Sequence, residues 1–326
     1  MPSIGVAAPT PRPAPAATFD RLTGRRRRSI QRRVLTWYDA QRRNFAFRGP
    51  REPYPVLVAE VILQQTQAAR GEGAWRAFMA RFPTLADLAA ASPADVLRAW
   101  AGLGYNQRAL NLRRAAIAIQ ERHGGVFPTA IPVLEALPGI GPYTARAVAA
   151  IAFGVAVGAV DTNVRRVLGR VAAGHGSRRD AGAPLPGRDL QALADALVAT
   201  DRPADWTAAL MDVGATVCLP RAPRCPDCPL ARACAYALAG TRPAAHAQPA
   251  APRGLAEPHA PYETTPRWLR GRLVARLREQ PDGVWAKIDG GIGVHDADAV
   301  ARALRGLARD GLLELDEGGR ARLPLR

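Results

Sequence analysis

The sequence predicts a mostly α-helical protein with a small α+β module after it. Three observations carry this. Apolar residues recur at helical spacing in segment after segment from residue 25 to about 236, and strand-like alternation is almost absent before residue 280. Residues 241–261 (TRPAAHAQPAAPRGLAEPHAP) are rich in Pro, Ala and Arg and have no period, so they read as a linker. Beyond it, two helical patterns precede "GLLELDEGGRARLPL", which reads as two short strands around Glu317-Gly318-Gly319.

The elements follow in order. Residues 1–24 begin with an Ala/Pro-rich stretch and are expected to be a disordered tail. From Arg25 to Ala46 the pattern suits an amphipathic helix with Val34, Leu35, Trp37 and Tyr38 inward. Pro53 and Pro55 suit a turn and a helix start, and an apolar helix follows. Further helices are expected at 72–80, 84–90, 93–101 and 107–122, with Ser92-Pro93 as a cap and first helical position. The series continues at 133–137, 143–153, 163–172, 188–200 and 205–218. After the linker come helices at 267–279 and 297–310 and the hairpin, which suits either a winged helix or a small α+β cap without a DNA role.

The formal net charge is +17, and residues 21–51 alone carry eleven Arg against one acid, Asp39. Such a segment suits a polyanion such as nucleic acid, or a solvated tail. Only one basic residue is Lys, Lys287; with so much Ala, the Arg excess fits GC-rich codon usage and by itself carries no function. The longest largely apolar run, residues 147–160, falls short of the ~18 residues that would mark a membrane span. No signal-peptide pattern is visible, and a cytoplasmic protein is expected.

Four motifs carry chemistry. In "LVAEVILQQTQ", every position from Val56 to Leu63 is apolar except Glu60, a carboxylate on a face expected to be buried. Burying a carboxylate unpaired costs several kcal/mol or neutralises it. All four cysteines lie at Cys218-x6-Cys225-x2-Cys228-x5-Cys234, a compact loop that could wrap one inorganic centre in a reducing compartment. The tight, unequal spacings favour a [4Fe–4S] cube, with zinc as the alternative. "LPGIGPYTARAV" sets Pro138, Gly139 and Gly141 between two helices, where outward backbone amides and a helix N-terminus could hold a phosphate. This resembles a helix-hairpin-helix motif, although a plain helix–helix turn would use similar residues. In "GAVDTNVRRVLGR", Asp161 stands just before an apolar-periodic helix, where an N-cap role and a chemical role can coexist.

In this order, the motifs resemble the helix-hairpin-helix, Gly/Pro-Asp superfamily of DNA glycosylases, in the iron–sulfur branch that includes endonuclease III. "AEVILQQTQ", "FMARFPTLADLAAA", "GLGYNQRALNL", "LPGIGPYTARAV" and "VDTNVRRVLGR" are similar to adenine DNA glycosylases of the MutY type, over roughly residues 30–236. The resemblance implies a core at 25–236 made of a six-helix lobe (about 53–160) and an iron–sulfur lobe (25–52 with 161–236). A linker at 237–262 and a module at 263–326 follow.

The resemblance also implies roles. An adenine opposite 8-oxoguanine or guanine is flipped out of double-stranded DNA into a pocket between the lobes, because its glycosidic bond is unreachable in the duplex. Glu60, its pKa raised by burial to about 6–7, protonates an adenine ring nitrogen. Asp161, as the anion, stabilises the oxocarbenium-like sugar, a division of labour like that of glycoside hydrolysis. Tyr143 lines the pocket beside Glu60, and Asn163 stands near the sugar and the attacking water. Gln65 and Tyr105 wedge into the base stack, while Gly139, Gly141 and Thr144 contact DNA. Cys218, Cys225, Cys228 and Cys234 hold the [4Fe–4S] cluster. Bifunctional relatives place a Schiff-base Lys where this chain has Tyr143, so a monofunctional enzyme is expected. A monomer associated with the bacterial nucleoid is expected besides.

The chain departs from the pattern in three places. Phe45-Ala46-Phe47-Arg48 stands for the usual Leu-Pro-Trp-Arg. Asn106 replaces the second Tyr of Gly-Tyr-Tyr. Residues 262–326 are too short and strand-poor for the Nudix-like domain of larger members. Two rivals follow: removal of thymine or uracil opposite guanine, or of hypoxanthine, and a cluster-bearing DNA-binding regulator without catalysis. The coincidence of Glu60 and Asp161 argues against the regulator.

Overall fold

The computed structural model describes residues 24–173, 186–238 and 261–325. The expected N-terminal tail (apart from Gly24) and most of the expected linker lie outside the described residues.

The chain divides into two units, each discontinuous in sequence. One is made from residues up to Arg43 and Gly154–Pro243, the other from Asn44–Phe153 and Ala244–Arg326.

In the first unit, helix α1 (Gly24–Gln41) turns Ile30, Val34, Leu35 and Tyr38 inward against later helices α9 (Thr162–Ala173), α10 (Gly187–Leu197) and α11 (Pro203–Asp212). The apolar stripe of α1, spaced four, one and three residues apart, is what a helix buries on one face. The sequence pattern extends this helix to Ala46, but it ends at Gln41. The Arg43 amide donates to Asp212 Oδ2 (3.3 Å), and Arg43 Nε donates to Asp212 Oδ1 (2.6 Å). Asp212 is fully buried, so this ion pair outweighs another helical turn. The expected helix over 205–218 is also broken: after Asp212 it widens into a π-turn, Val213–Val217, closed by Cys218 N–H to Val213 O (2.7 Å). Cys218 ends this turn, Cys225 and Cys228 begin and end one 3₁₀ turn (Cys225–Asp227 with its cap), and Cys234 ends another (Ala231–Ala233) just before α12 (Ala235–Leu238).

In the second unit, α2 (Pro53–Leu63), α3 (Ala68–Arg81), α4 (Leu85–Ala90), α5 (Pro93–Ala99), α6 (Gln107–His123), α7 (Ile131–Glu135) and α8 (Pro142–Ala152) pack around fully buried Leu57, Ile62, Phe78, Leu88, Leu97, Trp100, Leu112 and Ile119. Capping chemistry sets the short helices: Thr84 and Asp87 form a reciprocal capping box, and Ser92 Oγ accepts from Asp95 N–H with Pro93 at the first helical position.

The C-terminal residues belong to this same unit. Helix α13 (Pro266–Arg278), α14 (Ala297–Arg309) and the antiparallel pair β1 (Glu314–Leu315) and β2 (Ala321–Arg322) share one core with α5 and α6. Ala94, Leu97 and Leu110 of the helical lobe contribute to it beside Leu269, Leu273 and Leu304. Ala286 adds an isolated bridge to Ala321. Main-chain and side-chain bonds seal the junction: Ala94 N–H to Pro324 O (3.0 Å), Arg98 Nη2 to Gln280 O (2.9 Å), and the Arg98–Asp282 ion pair (2.6 Å).

Candidate active site and cysteine centre

Helix α2 is apolar on nearly all sides, so its one carboxylate has nowhere wet to go. Glu60 is 7 % exposed. The Tyr143 hydroxyl, one position into α8, donates to Glu60 Oε2 at 2.7 Å. The turn before α8 explains how Tyr143 gets there. Gly139 adopts φ +75°, and a Cβ on it would stand 2.6 Å from Asn111 Cβ, so only glycine fits this conformation and this space. Gly141 then caps α8 with extended backbone, and Pro142 takes the first helical position. The Thr144 side chain is buried and accepts from Gln64 Nε2 (3.3 Å), so a phosphate at this turn could meet only its main-chain amide.

Gln65 and Tyr105 are the only non-glycine residues with left-handed φ among those described, at +57° and +45°. Both are exposed. Strain of this kind is held only when the surroundings over-determine it, and Arg108 does so. Its Nη1 donates to the carbonyls of Val61 (2.8 Å) and Gln64 (2.6 Å), and its Nη2 to Leu103 (3.2 Å) and Gly104 (3.3 Å). One guanidinium thus ties both strained loops together, stacked near the rings of Trp100 and Tyr105. Burial lowers its pKa.

In the other unit, Asp161 precedes α9. Its Oδ1 accepts from Val164 N–H (2.6 Å), the capping bond, and its Oδ2 from Asn163 Nδ2 (3.2 Å). Asn163 Oδ1 accepts in turn from Arg166 Nη2 (2.8 Å), whose guanidinium also reaches Gly214 O (2.5 Å) and Cys218 O (2.7 Å). Gly214 permits this approach, since a Cβ there would sit 2.6 Å from Asn163 Cβ. A continuous chain of hydrogen bonds therefore runs from Asp161 to the backbone of the first cysteine.

The four cysteines line one small cavity, beside Arg170, Pro223 and Tyr236. Among the described residues, no three His, Cys, Asp or Glu side chains are gathered closely enough to share one metal ion. Burial pushes the Cys228 thiol up to about 12 and raises those of Cys225 and Cys234. Arg170 is 1 % exposed. Its Nη1 lies 3.3 Å from Cys218 Sγ and donates to Leu219 O (2.7 Å), its Nη2 donates to Pro220 O (2.9 Å), and Nε has no partner. Soft sulfur donors around a cavity, with a buried cation beside them, fit an anionic thiolate-bound centre.

Glu60, Tyr143, Gln65, Tyr105 and the Gly139–Gly141 turn lie in one unit; Asp161, Asn163 and the cysteines lie in the other. Sequence reasoning missed Arg108, Arg166 and Arg170. In a chain with 45 basic residues, nothing in the sequence separates a buried guanidinium from a solvated one.

Comparison with known proteins places the chain in a family. Residues 58–181 match the family described as "HhH-GPD superfamily base excision DNA repair protein". The chain is 41% identical over 290 residues to an adenine DNA glycosylase of Mycolicibacterium smegmatis, covering 88% of this chain and 93% of that one. It is 43% identical over 210 residues to the human adenine DNA glycosylase, covering 62% of this chain and 38% of that one. The solved structure of a thermostable thymine-DNA glycosylase superposes with a TM-score of 0.58 at 29% identity, covering 65% of this chain and 97% of that one.

Proposed function

The chain belongs to the adenine DNA glycosylases of the HhH-GPD superfamily, and from that premise we propose how its residues release the base. It is an N-glycosyl hydrolase of base excision repair. We assign it double-stranded DNA with adenine opposite 8-oxoguanine or guanine, acting as a monomer in the cytoplasm at the chromosome. The thymine/uracil reading has weaker support, because its relative is 30% identical over 67% of this chain.

Glu60 is the acid. It sits in an apolar helix, which disfavours its charged form, and Tyr143 fixes its orientation. It passes a proton to a ring nitrogen of the flipped adenine. The C1′–N9 electron pair leaves with the neutralised base, and the sugar becomes oxocarbenium-like. Asp161, oriented by Val164 N–H and Asn163, faces the developing positive charge as an anion. Water adds at C1′ and loses a proton, completing hydrolysis. Lys287 lies exposed against Asp289, and with no other Lys in the chain the reaction is monofunctional.

Gln65 and Tyr105 are proposed as wedges that hold the unstacked base pair open. The amides around Gly139, Gly141 and Thr144 are proposed to hold a backbone phosphate. Cys218, Cys225, Cys228 and Cys234 would hold a [4Fe–4S] cluster, which when bound supplies a rigid, anionic node for the loop. Arg170 would offset its charge.

The observation that carries the reading is the Tyr143–Glu60 hydrogen bond inside an otherwise apolar helix surface. The test is single-turnover base release from duplexes bearing A opposite 8-oxoguanine, A opposite G, T opposite G, U opposite G and hypoxanthine. Fastest release of adenine supports the assignment; faster release of thymine or uracil would replace it.

A further inference from the structure

Two guanidiniums, one near in sequence and one far, approach the exposed ring of Tyr105. Arg108 Cζ is 5.6 Å from the ring centroid, and Arg267 Cζ is 4.0 Å from it. Arg267 belongs to the first turn of α13, in the C-terminal module, and is itself exposed. The turn that carries it is held on two sides. Thr265 Oγ1 caps this turn by accepting from Trp268 N–H (3.2 Å), and Leu269, Leu273 and Leu277 pack with Ala94, Leu97 and Leu110. The same helix also holds the next residue of the loop: Arg278 Nη2 donates to Asn106 Oδ1 at 2.8 Å. Asn106, where the family pattern has a second Tyr, is thus an acceptor facing this module.

We propose that Arg267 is a positioning residue for Tyr105, through which the C-terminal module takes part in gripping the unstacked base pair. This rests on the assignment of Tyr105 as a wedge. A left-handed tyrosine on an exposed turn is one torsion away from relaxing out of the stack. A guanidinium lying on its face resists that, because the ring's negative quadrupole attracts the cation. Arg108 fixes the backbone beneath the ring, and Arg267 fixes the ring itself.

The experiment is a double-mutant cycle on full-length protein, every variant carrying Glu60→Gln so that duplexes are bound without turnover. Tyr105→Ala, Arg267→Ala, the pair, and Arg267→Lys are compared by fluorescence anisotropy on an A:8-oxoguanine duplex and a fully paired A:T duplex. Arg267→Ala is expected to weaken the mismatched duplex about tenfold and the paired one about twofold or less. Arg267→Lys should recover much of the loss. With Tyr105→Ala already present, Arg267→Ala should cost less than about twofold more. Equal weakening on both duplexes, or full additivity with Tyr105→Ala, would overturn the proposal. A Tyr105→Ala protein that binds the mismatch as tightly as its parent would remove the wedge assignment, and this inference with it. Failure of the Glu60-intact protein to release adenine would instead remove only the substrate assignment, since the cycle reads binding.

Discussion

Tyr143 donates its hydroxyl hydrogen to Glu60 Oε2 across 2.7 Å, joining the residue just after the glycine turn to the one carboxylate of an apolar helix. Glu60→Gln keeps the shape and removes the acid. It should lower single-turnover adenine release by about 10²-fold or more while duplex affinity stays within a few-fold. Tyr143→Phe should cost less, about tenfold, since it removes an orienting bond and not the proton donor.

Asp161 performs two tasks that two substitutions separate. Asp161→Asn keeps an oxygen for the Val164 N–H and should leave thermal stability within about 1 kcal/mol. It removes the charge, so base release should fall by about 10²-fold. Asp161→Ala should lose a similar factor in rate and about 1 kcal/mol of stability as well. Equal rates for the parent and Asp161→Asn, measured at saturating enzyme, would assign the residue to capping alone.

Protein purified without oxygen should carry iron and acid-labile sulfide in equal amounts and absorb broadly in the visible. Cys228→Ser should lose both, and loop 218–234 should become sensitive to protease. Zinc in place of iron in the parent would identify the alternative centre.

Duplex binding should weaken steeply with salt, through hairpin amides and the arginines of α1 and α13. Affinity that holds constant over a several-fold rise in salt, measured on a paired duplex, would contradict an electrostatic grip.

Two carboxyls predict the acid limb of stability. A hydrogen bond from Arg202 holds Asp39 below the ordinary carboxylate range, and the Ala46 N–H does the same for Glu72, aided by Arg76. A lowered folded pKa stabilises the fold fully above the ordinary value, about 4, and the contribution fades as pH falls through the lowered values. The melting-temperature gap between parent and Asp39→Asn or Glu72→Gln should therefore be widest near neutral pH and close below about pH 4.

Much of this was legible in the residues. Period 3.6 located the helices, and Ser92-Pro93 marked a helix start, because caps and apolar stripes are local properties. Glu60 stood out because one carboxylate breaks an apolar run. Helix ends set by distant partners were not legible: α1 stops where Arg43 turns to Asp212, 169 residues away. The placement of 262–325 on α5 and α6 was equally hidden, since Ala94, Leu97 and Leu110 look like ordinary core positions of their own helices. Arg108, Arg166 and Arg170 went unseen because their partners are main-chain carbonyls, which every residue carries.

The tie between Arg43 and Asp212 also has a timing. A ribosome adding ~5–20 residues per second needs roughly 8–35 seconds to travel from one partner to the other. For most of that interval, until α9, α10 and α11 have been made, the inward face of α1, Ile30, Val34 and Leu35, lacks the partners it closes against. The nascent chain therefore carries an apolar, arginine-flanked helix face that is covered only after those later helices have been made.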